Sequence, residues 1–164
     1  MPTQQSQPGQ PVIQVFFSPR GGCTEAAVQA IEAARSSILV QAYSFTSAPI
    51  AEALVKAHRR GVKVQVLLDK SQRSEKYSSA TFVANAGIAA LIDAKHAIAH
   101  NKVIVIDGDT VITGSFNFTK AAEESNAENM LVIKDANLAA AYTANWHRHE
   151  AHAEPYTGLP ARSR

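Results

Sequence analysis

The chain has 164 residues, 46% of them hydrophobic and 18% charged, a composition that excludes a disordered or fibrous protein and suffices for one buried core. A net charge of +2 and a pI near 8.8 permit an anionic partner without requiring one. No run of about 18 apolar residues is present to cross a membrane, and the single cysteine, Cys23, excludes an intrachain disulfide framework.

Residues 1–11, MPTQQSQPGQP, read as a flexible leader. They have neither a basic n-region nor an apolar h-region, so the chain as it stands shows no export signal; a signal removed upstream would leave the same appearance. VIQVFF (12–17) predicts a short apolar strand, and SPRGG a loop. A helix follows, with Thr24 as N-cap and Ala27, Ile31 and Ala34 on one face. SILVQAYSF (37–45) predicts a strand buried on both faces. Ser47 caps the next helix, Pro49 fits its first turn, and Gly61 stops it. VKVQVLLD (62–69) has the pattern of a central strand, 70–78 of a polar loop, 79–87 of a helix and 88–93 of a short strand. After a pair of strands around residues 100–117, ENMLVI (128–133) predicts another, and 136–150 a last helix around Trp146. Strands alternating with helices imply an α/β layered domain. The single domain spans 12–152, and 153–164 read as a loose tail.

The segment HAIAHNKVIVIDGDTVITGSFNFT (96–119) places four polar side chains among valines and isoleucines. Residues two apart on a strand share a face, so His100 goes with Lys102 and Ser115 with Asn117. A two- or four-residue loop around Gly108-Asp109 sets Lys102 opposite Ser115 and His100 opposite Asn117, gathering all four on one face. Val103, Val105 and Ile112 then face the core. A loop of odd length sets Gly114 or Phe116 opposite Lys102 and scatters the group. Lysine, serine and asparagine donate well to phosphoryl oxygens, and a neutral histidine is a competent nucleophile. Magnesium-assisted phosphate chemistry needs several carboxylates, which this cluster lacks. The pattern implies phosphoryl transfer with fixed polar donors, and neither metal nor cofactor is expected.

The spacing His100-Asn-Lys102, then Asp107, then Gly114-Ser115-Phe-Asn117 resembles the HxK(x)4D(x)6GSxN signature of the phospholipase D superfamily. "ILVQAYSFTS", "VLLDKSQR", "KYSSA" and "HAIAHNKV" extend the likeness, toward small bacterial endonucleases of that superfamily, over about Val12 to Ile133. The resemblance implies an α/β/α sandwich around a mixed sheet and a two-step reaction through a covalent phosphohistidine on Nε2 of His100. It implies that Lys102 and Asn117 hold the non-bridging oxygens with Ser115 close behind, and that Glu128 orients the imidazole. Asp107 belongs to the motif, but its distance from His100 along the strand gives it a structural reading, as Gly114 has.

Superfamily enzymes usually carry two copies of the motif, and this chain carries one. The chemistry wants one histidine to attack and a second to protonate the leaving oxygen. A homodimer with the motif on its two-fold axis supplies both. The expectation is therefore a metal-independent endonuclease cleaving DNA, with RNA as a second substrate, without stable membrane association and periplasmic by family analogy. A phospholipase D or cardiolipin hydrolase, or an inert nucleic-acid-binding module, are the alternatives. Elsewhere, His96 and His100 lack the glutamate of a zinc helix. His147, His149 and His152 read as a solvated helix end, a transition-metal site being the other reading. Lys70, Arg73, Lys76, Lys95 and Lys120 are candidates for a backbone-binding groove, and Cys23 reads as a buried thiol, not a nucleophile.

Overall fold

The computed structural model describes residues 9–158. Most of the leader (1–8) and the end of the tail (159–164) lie outside the described residues. Eight strands form one mixed sheet: β1 (Val12–Ser18), β2 (Ser37–Ala42), β3 (Lys63–Asp69), β4 (Ala89–Asp93), β5 (Lys102–Ile106), β6 (Thr110–Gly114), β7 (Glu128–Lys134) and β8 (Glu154–Pro155). Their order is β1-β7-β6-β5-β2-β3-β4-β8. Strands β2, β3 and β4 are mutually parallel, and β5 returns antiparallel beside β2. Helices α1 (Cys23–Glu32), α2 (Ala48–Arg59), α3 (Ala80–Asn85) and α4 (Lys120–Glu124) contribute to the larger core cluster. On the other face α5 (Ala136–Glu150) brings Ala139 and Trp146 against Leu39, Leu67, Val103, Val105 and Val111. This is an α/β/α sandwich.

The apolar strands are central because both of their faces are covered. Every residue of β5 is buried, as is all of β2 after Ser37. The buried Trp146 indole donates to the Val40 carbonyl at 2.9 Å, which seats α5 on the middle of the sheet. Ser47 caps α2, accepting from Ile50 N–H, and Gly61 takes the positive φ (94°) just past Arg60.

Several boundaries differ from the sequence pattern. Helix α1 begins two residues early, behind left-handed Gly22 (φ 87°), so Thr24 lies inside the helix and is not its cap. Strand β2 ends at Ala42, and Phe45 instead makes an isolated bridge to Phe118. The 70–78 loop opens with a 3-10 turn, Lys70–Arg73, capped by Asp69. The third helix is confined to Ala80–Asn85. The tail is not loose at its start: Glu154 and Pro155 pair with Ile92 and Leu91, and Tyr156 N–H donates to the Ala90 carbonyl. That pairing covers the edge β4 would otherwise expose.

The hairpin departs most. Ile106 pairs with Thr110, so the loop is Asp107-Gly108-Asp109, three residues long. Asp107 (φ 52°) and Gly108 (φ 66°) are both left-handed, and Asp109 N–H closes the turn onto the Ile106 carbonyl. The extra residue shifts the register by one. Val111, not Ile112, joins Val103 and Val105 beneath α5, while Ile112 lies in the larger cluster with Ile104 and Ile106.

Candidate active site

The carboxyl ends of β2, β3, β4 and β6 meet the amino ends of β5 and β7 at one edge of the sheet, the edge where α/β sheets bind ligands. Lys102 opens β5, His100 lies two residues before it, Ser115 and Asn117 follow β6, and Glu128 opens β7. These residues, with Asn101, Thr113, Gly114 and Tyr142, line an open cavity of about 510 Å³.

The predicted register does not hold, since Val103 pairs with Thr113, yet the four side chains still line one cavity. The reason is that only Lys102 of the four lies on a strand. The chain after Gly114 is held by its own contacts. Ser115 and Phe116 N–H both donate to the Asn129 carbonyl, and Phe118 C=O accepts from Thr46 and Ser47. Phe116 and Phe118 are buried, and Ser115 and Asn117 alternate with them and stay at the surface side. The turn-out requires glycine at 114. A Cβ there would lie 2.3 Å from the Asn129 oxygen and 2.9 Å from Met130 Cα.

Burial and charge are unevenly divided. Lys102 is 7% exposed, whereas His100 and Ser115 are open to solvent. The Lys102 ammonium donates to the His100 carbonyl at 2.6 Å and lies 3.1 Å from its Nδ1. Burial pushes Lys102 toward its neutral form, and the Glu128 carboxylate opposes that shift. The Tyr43 ring, 4.8 Å from the imidazole and 5.5 Å from the ammonium, backs both groups. Glu128 is hydrogen-bonded to the Ser115 hydroxyl, and that hydroxyl in turn accepts from Asn129 N–H. His100 and Glu128 are not hydrogen-bonded to each other in this arrangement. Asn117 stands at the cavity wall, with its Oδ1 buried and without a partner among the described residues.

Asp107 is at the opposite end of β5. Its carboxylate accepts from the N–H groups of Arg35, Ser36 and Ser37 and from the Ser36 hydroxyl, at 2.8–3.1 Å. Burial pushes its carboxyl up, but these donors outweigh burial and hold it below the usual range. It fixes the turn between α1 and β2.

Two carboxylates that the sequence reading passed over position the loop leading to His100. Asp69, ending β3, accepts from Ala99 N–H at 2.7 Å and from Ser71 N–H. Asp93, ending β4, is fully buried and accepts from Lys95 N–H. The available signal was an aspartate closing each of two apolar parallel strands. His149 and His152 are not a solvated helix end: both turn inward onto Asp93, joined by His96, and only His147 stays out, beside Glu150. Of the basic candidates, Lys70 donates to the His96 carbonyl, Arg73 is paired with Glu154, and Lys120 lies 3.9 Å from Glu124. Burial, with Glu123 adding to it, pushes the Cys23 thiol up to about 11, which leaves it an inert core group.

Comparison with known proteins places this geometry. Residues 27–149 match the family model described as cardiolipin synthase, PLD-like domain. A protein named phospholipase D from Rickettsia typhi is 47% identical over 139 residues, covering 85% of this chain and 68% of that one. A mitochondrial cardiolipin hydrolase from Xenopus laevis is 35% identical over 124 residues, covering 76% of this chain and 59% of that one. The crystal structure of the phospholipase D family member Nuc from Salmonella typhimurium superposes with a TM-score of 0.86 at 40% identity, over 90% of this chain and 99% of that one. NucT from Helicobacter pylori shares the fold, with a TM-score of 0.84 at 24% identity over 90% and 100% of the two chains. With the histidine, lysine, serine and asparagine of the motif gathered in one cavity on that fold, the chain belongs to the phospholipase D superfamily and is one of its phosphodiesterases.

Proposed function

We propose that the chain is a metal-independent endonuclease that cleaves DNA, with RNA as a second substrate, without sequence preference. The observation that carries this reading is the buried Lys102 ammonium set directly beside the solvent-facing His100 imidazole in an open polar cavity. A phosphodiester arriving there meets a fixed cation and polar donors on one side and a nucleophile on the other.

Nε2 of His100 donates its lone pair to phosphorus, and the bond from phosphorus to the leaving ester oxygen breaks. That oxygen takes a proton from His100 of a second subunit across a two-fold axis. Water then attacks the phosphohistidine, giving a proton back to the second imidazole and releasing the phosphate monoester. Attack requires the His100 ring proton on Nδ1, whereas the present contact with Lys102 has Nδ1 accepting. Transfer of the Lys102 ammonium to a substrate phosphoryl oxygen frees Nδ1, and Glu128, in the same cavity, is the carboxylate able to receive its proton side. Lys102, Ser115 and Asn117 take the non-bridging oxygens.

The two-fold arrangement is supported by an apolar strip beside the site. Ile13, Val15 and Phe17 of β1 are 60%, 51% and 63% exposed, and Phe17 pairs with Asn129 next to Glu128. Similarity over nearly the whole of Nuc favours a compact nuclease. The names of the Rickettsia and Xenopus relatives favour the second reading, a lipid phosphodiesterase. Incubating the protein and His100→Ala with plasmid DNA, and separately with cardiolipin vesicles, in excess EDTA decides between them. DNA nicking that the variant loses supports the proposal; formation of phosphatidic acid in the vesicles without nicking overturns it in favour of the lipid. A periplasmic location remains part of the proposal, and cell fractionation checks it.

A further inference from the structure

At the same edge of the sheet, at the end of β4, four residues converge that the phosphodiesterase site does not use. His149 Nδ1 lies 2.8 Å from Asp93 Oδ2, His96 Nδ1 3.0 Å from the same atom, and His152 Nε2 3.1 Å from Oδ1. One ligand atom from each of the four residues lies within 4.8 Å of all the others. We infer that Asp93, His96, His149 and His152 form a structural binding site for one divalent transition-metal ion of the zinc class.

Three observations support the assignment. First, the donor set is three imidazoles and one carboxylate, which suits zinc and its neighbours and not calcium or magnesium. Second, the geometry is close to what such an ion needs. With bonds of about 2.0–2.1 Å, a tetrahedral ion holds its ligand atoms roughly 3.3 Å apart. The separations from Asp93 Oδ2 to His149 and His96 are already 2.8 and 3.0 Å, and His152 lies 3.1 Å from the other oxygen, Oδ1. The widest pair must close from 4.8 Å, and His96, on a loop with its side chain 43% exposed, is the group able to move. Third, the rings converge instead of stacking, with centroids 4.8, 5.2 and 5.6 Å apart and planes inclined by 42–64°.

The carboxylate itself is 0% exposed, so its charge is fixed in place before any ion arrives. The imidazoles of His149 and His152 are 17% and 23% exposed, open enough to admit an ion from solvent. In the present arrangement each ring presents an N–H to Asp93. An ion takes the place of those N–H contacts when each ring turns a lone pair inward.

The four ligands come from separate parts of the chain: the end of β4, the loop running to His100, the last turn of α5 and the turn after it. An ion held by all four fills a tetrahedral shell and leaves no position for substrate, so it clamps these elements together and takes no part in phosphoryl transfer. Together with the Asp69–Ala99 contact, it pins both ends of the loop that delivers His100.

The test uses tag-free full-length protein stripped with chelator and then titrated with zinc by calorimetry, with cobalt absorption as a geometric probe. The expected result is one ion per chain at submicromolar affinity and intense visible cobalt bands of a tetrahedral site. Melting temperature should rise by about 5–10 °C at a hundredfold excess over Kd. His149→Gln and His96→Ala should each weaken binding at least a hundredfold and abolish the bands, while His147→Ala binds as the wild type does. Because His96 lies on a loop, its variant keeps the test open if His149→Gln fails to fold in circular dichroism. Absence of uptake by the wild type, or uptake unchanged in both folded variants, overturns the site.

Discussion

Two polar clusters share one edge of the sheet and are built the opposite way round. In the first, at β5 and β6, the buried charge is a cation, Lys102, and the histidine beside it faces solvent. In the second, at β4 and α5, the buried charge is an anion, Asp93, and the histidines close over it. Imidazole is common to both. The sign of the buried partner decides what each can take: a phosphoryl anion against Lys102, a metal cation against Asp93. The lysine is held at an energetic disadvantage, since burial drives it toward its neutral form. The aspartate is stabilised, because the hydrogen bonds it receives outweigh the burial that would raise it. One cluster stores unmet demand and the other satisfies it.

The contrast breaks most sharply at His100. His100→Ala should lower plasmid cleavage in EDTA by roughly 10⁴-fold or more, as loss of a nucleophile does elsewhere, with its melting temperature unchanged. If the site is shared, adding excess His100→Ala protein to wild type should also suppress the wild-type rate after subunit exchange. Retained activity in the mixture would argue for a site complete within one chain.

Next in size is Lys102→Met, for which the rate should fall about 10²–10³-fold, the usual effect of deleting a transition-state donor. Its thermal stability should stay level or rise, since a buried ammonium is replaced by an apolar chain of similar length. Asp93→Asn should do the reverse, with a stability loss on the order of 2–3 kcal/mol in denaturant melts and a much smaller change in kcat. If both variants lost stability equally, the division between strained and satisfied clusters would be wrong.

Asp107 gives a milder test, away from both clusters. Asp107→Asn should cost about 1–3 kcal/mol through its weakened bonds to the 35–37 backbone and leave kcat unaltered. Its folded carboxyl sits below the ordinary range, so its contribution is complete above the unfolded value, near 3.9, and is lost as pH falls through the folded one. The stability gap between wild type and variant in denaturant melts should therefore narrow as the pH is lowered from 6 toward 3. Smallest of all, EDTA should leave the initial cleavage rate at 25 °C within about twofold and lower only the temperature at which activity is lost, if the ion is structural.

Much of this was legible in the sequence. Alternating strand and helix patterns predicted the layered fold, and the motif spacing picked out His100, Lys102, Ser115 and Asn117, which share one cavity. The reason given for their meeting was wrong. Strand register was expected to align them, but the turn adopts three residues because Asp107 itself takes a left-handed conformation, and only Gly is a routine signal for that. The alternation of Ser115 and Asn117 with buried Phe116 and Phe118 is plain in the sequence and is what orients them. The Asp93 cluster was hidden for another reason. Its members lie up to 59 residues apart in sequence, and nothing local to His149 or His152 says which strand end they will meet.

Asp107 and Gly114 have a consequence for how the motif is used to find enzymes. One holds a distant turn and the other lets two strands approach, so both answer to the demands of folding, while the proposed mechanism gives turnover to His100 and Lys102. The two halves can decay independently. A descendant that abandoned hydrolysis and kept only its grip on phosphate would still need the aspartate and the glycine to exist as a folded chain. Its kinship would stay visible in the scaffold half of the motif long after the imidazole had gone.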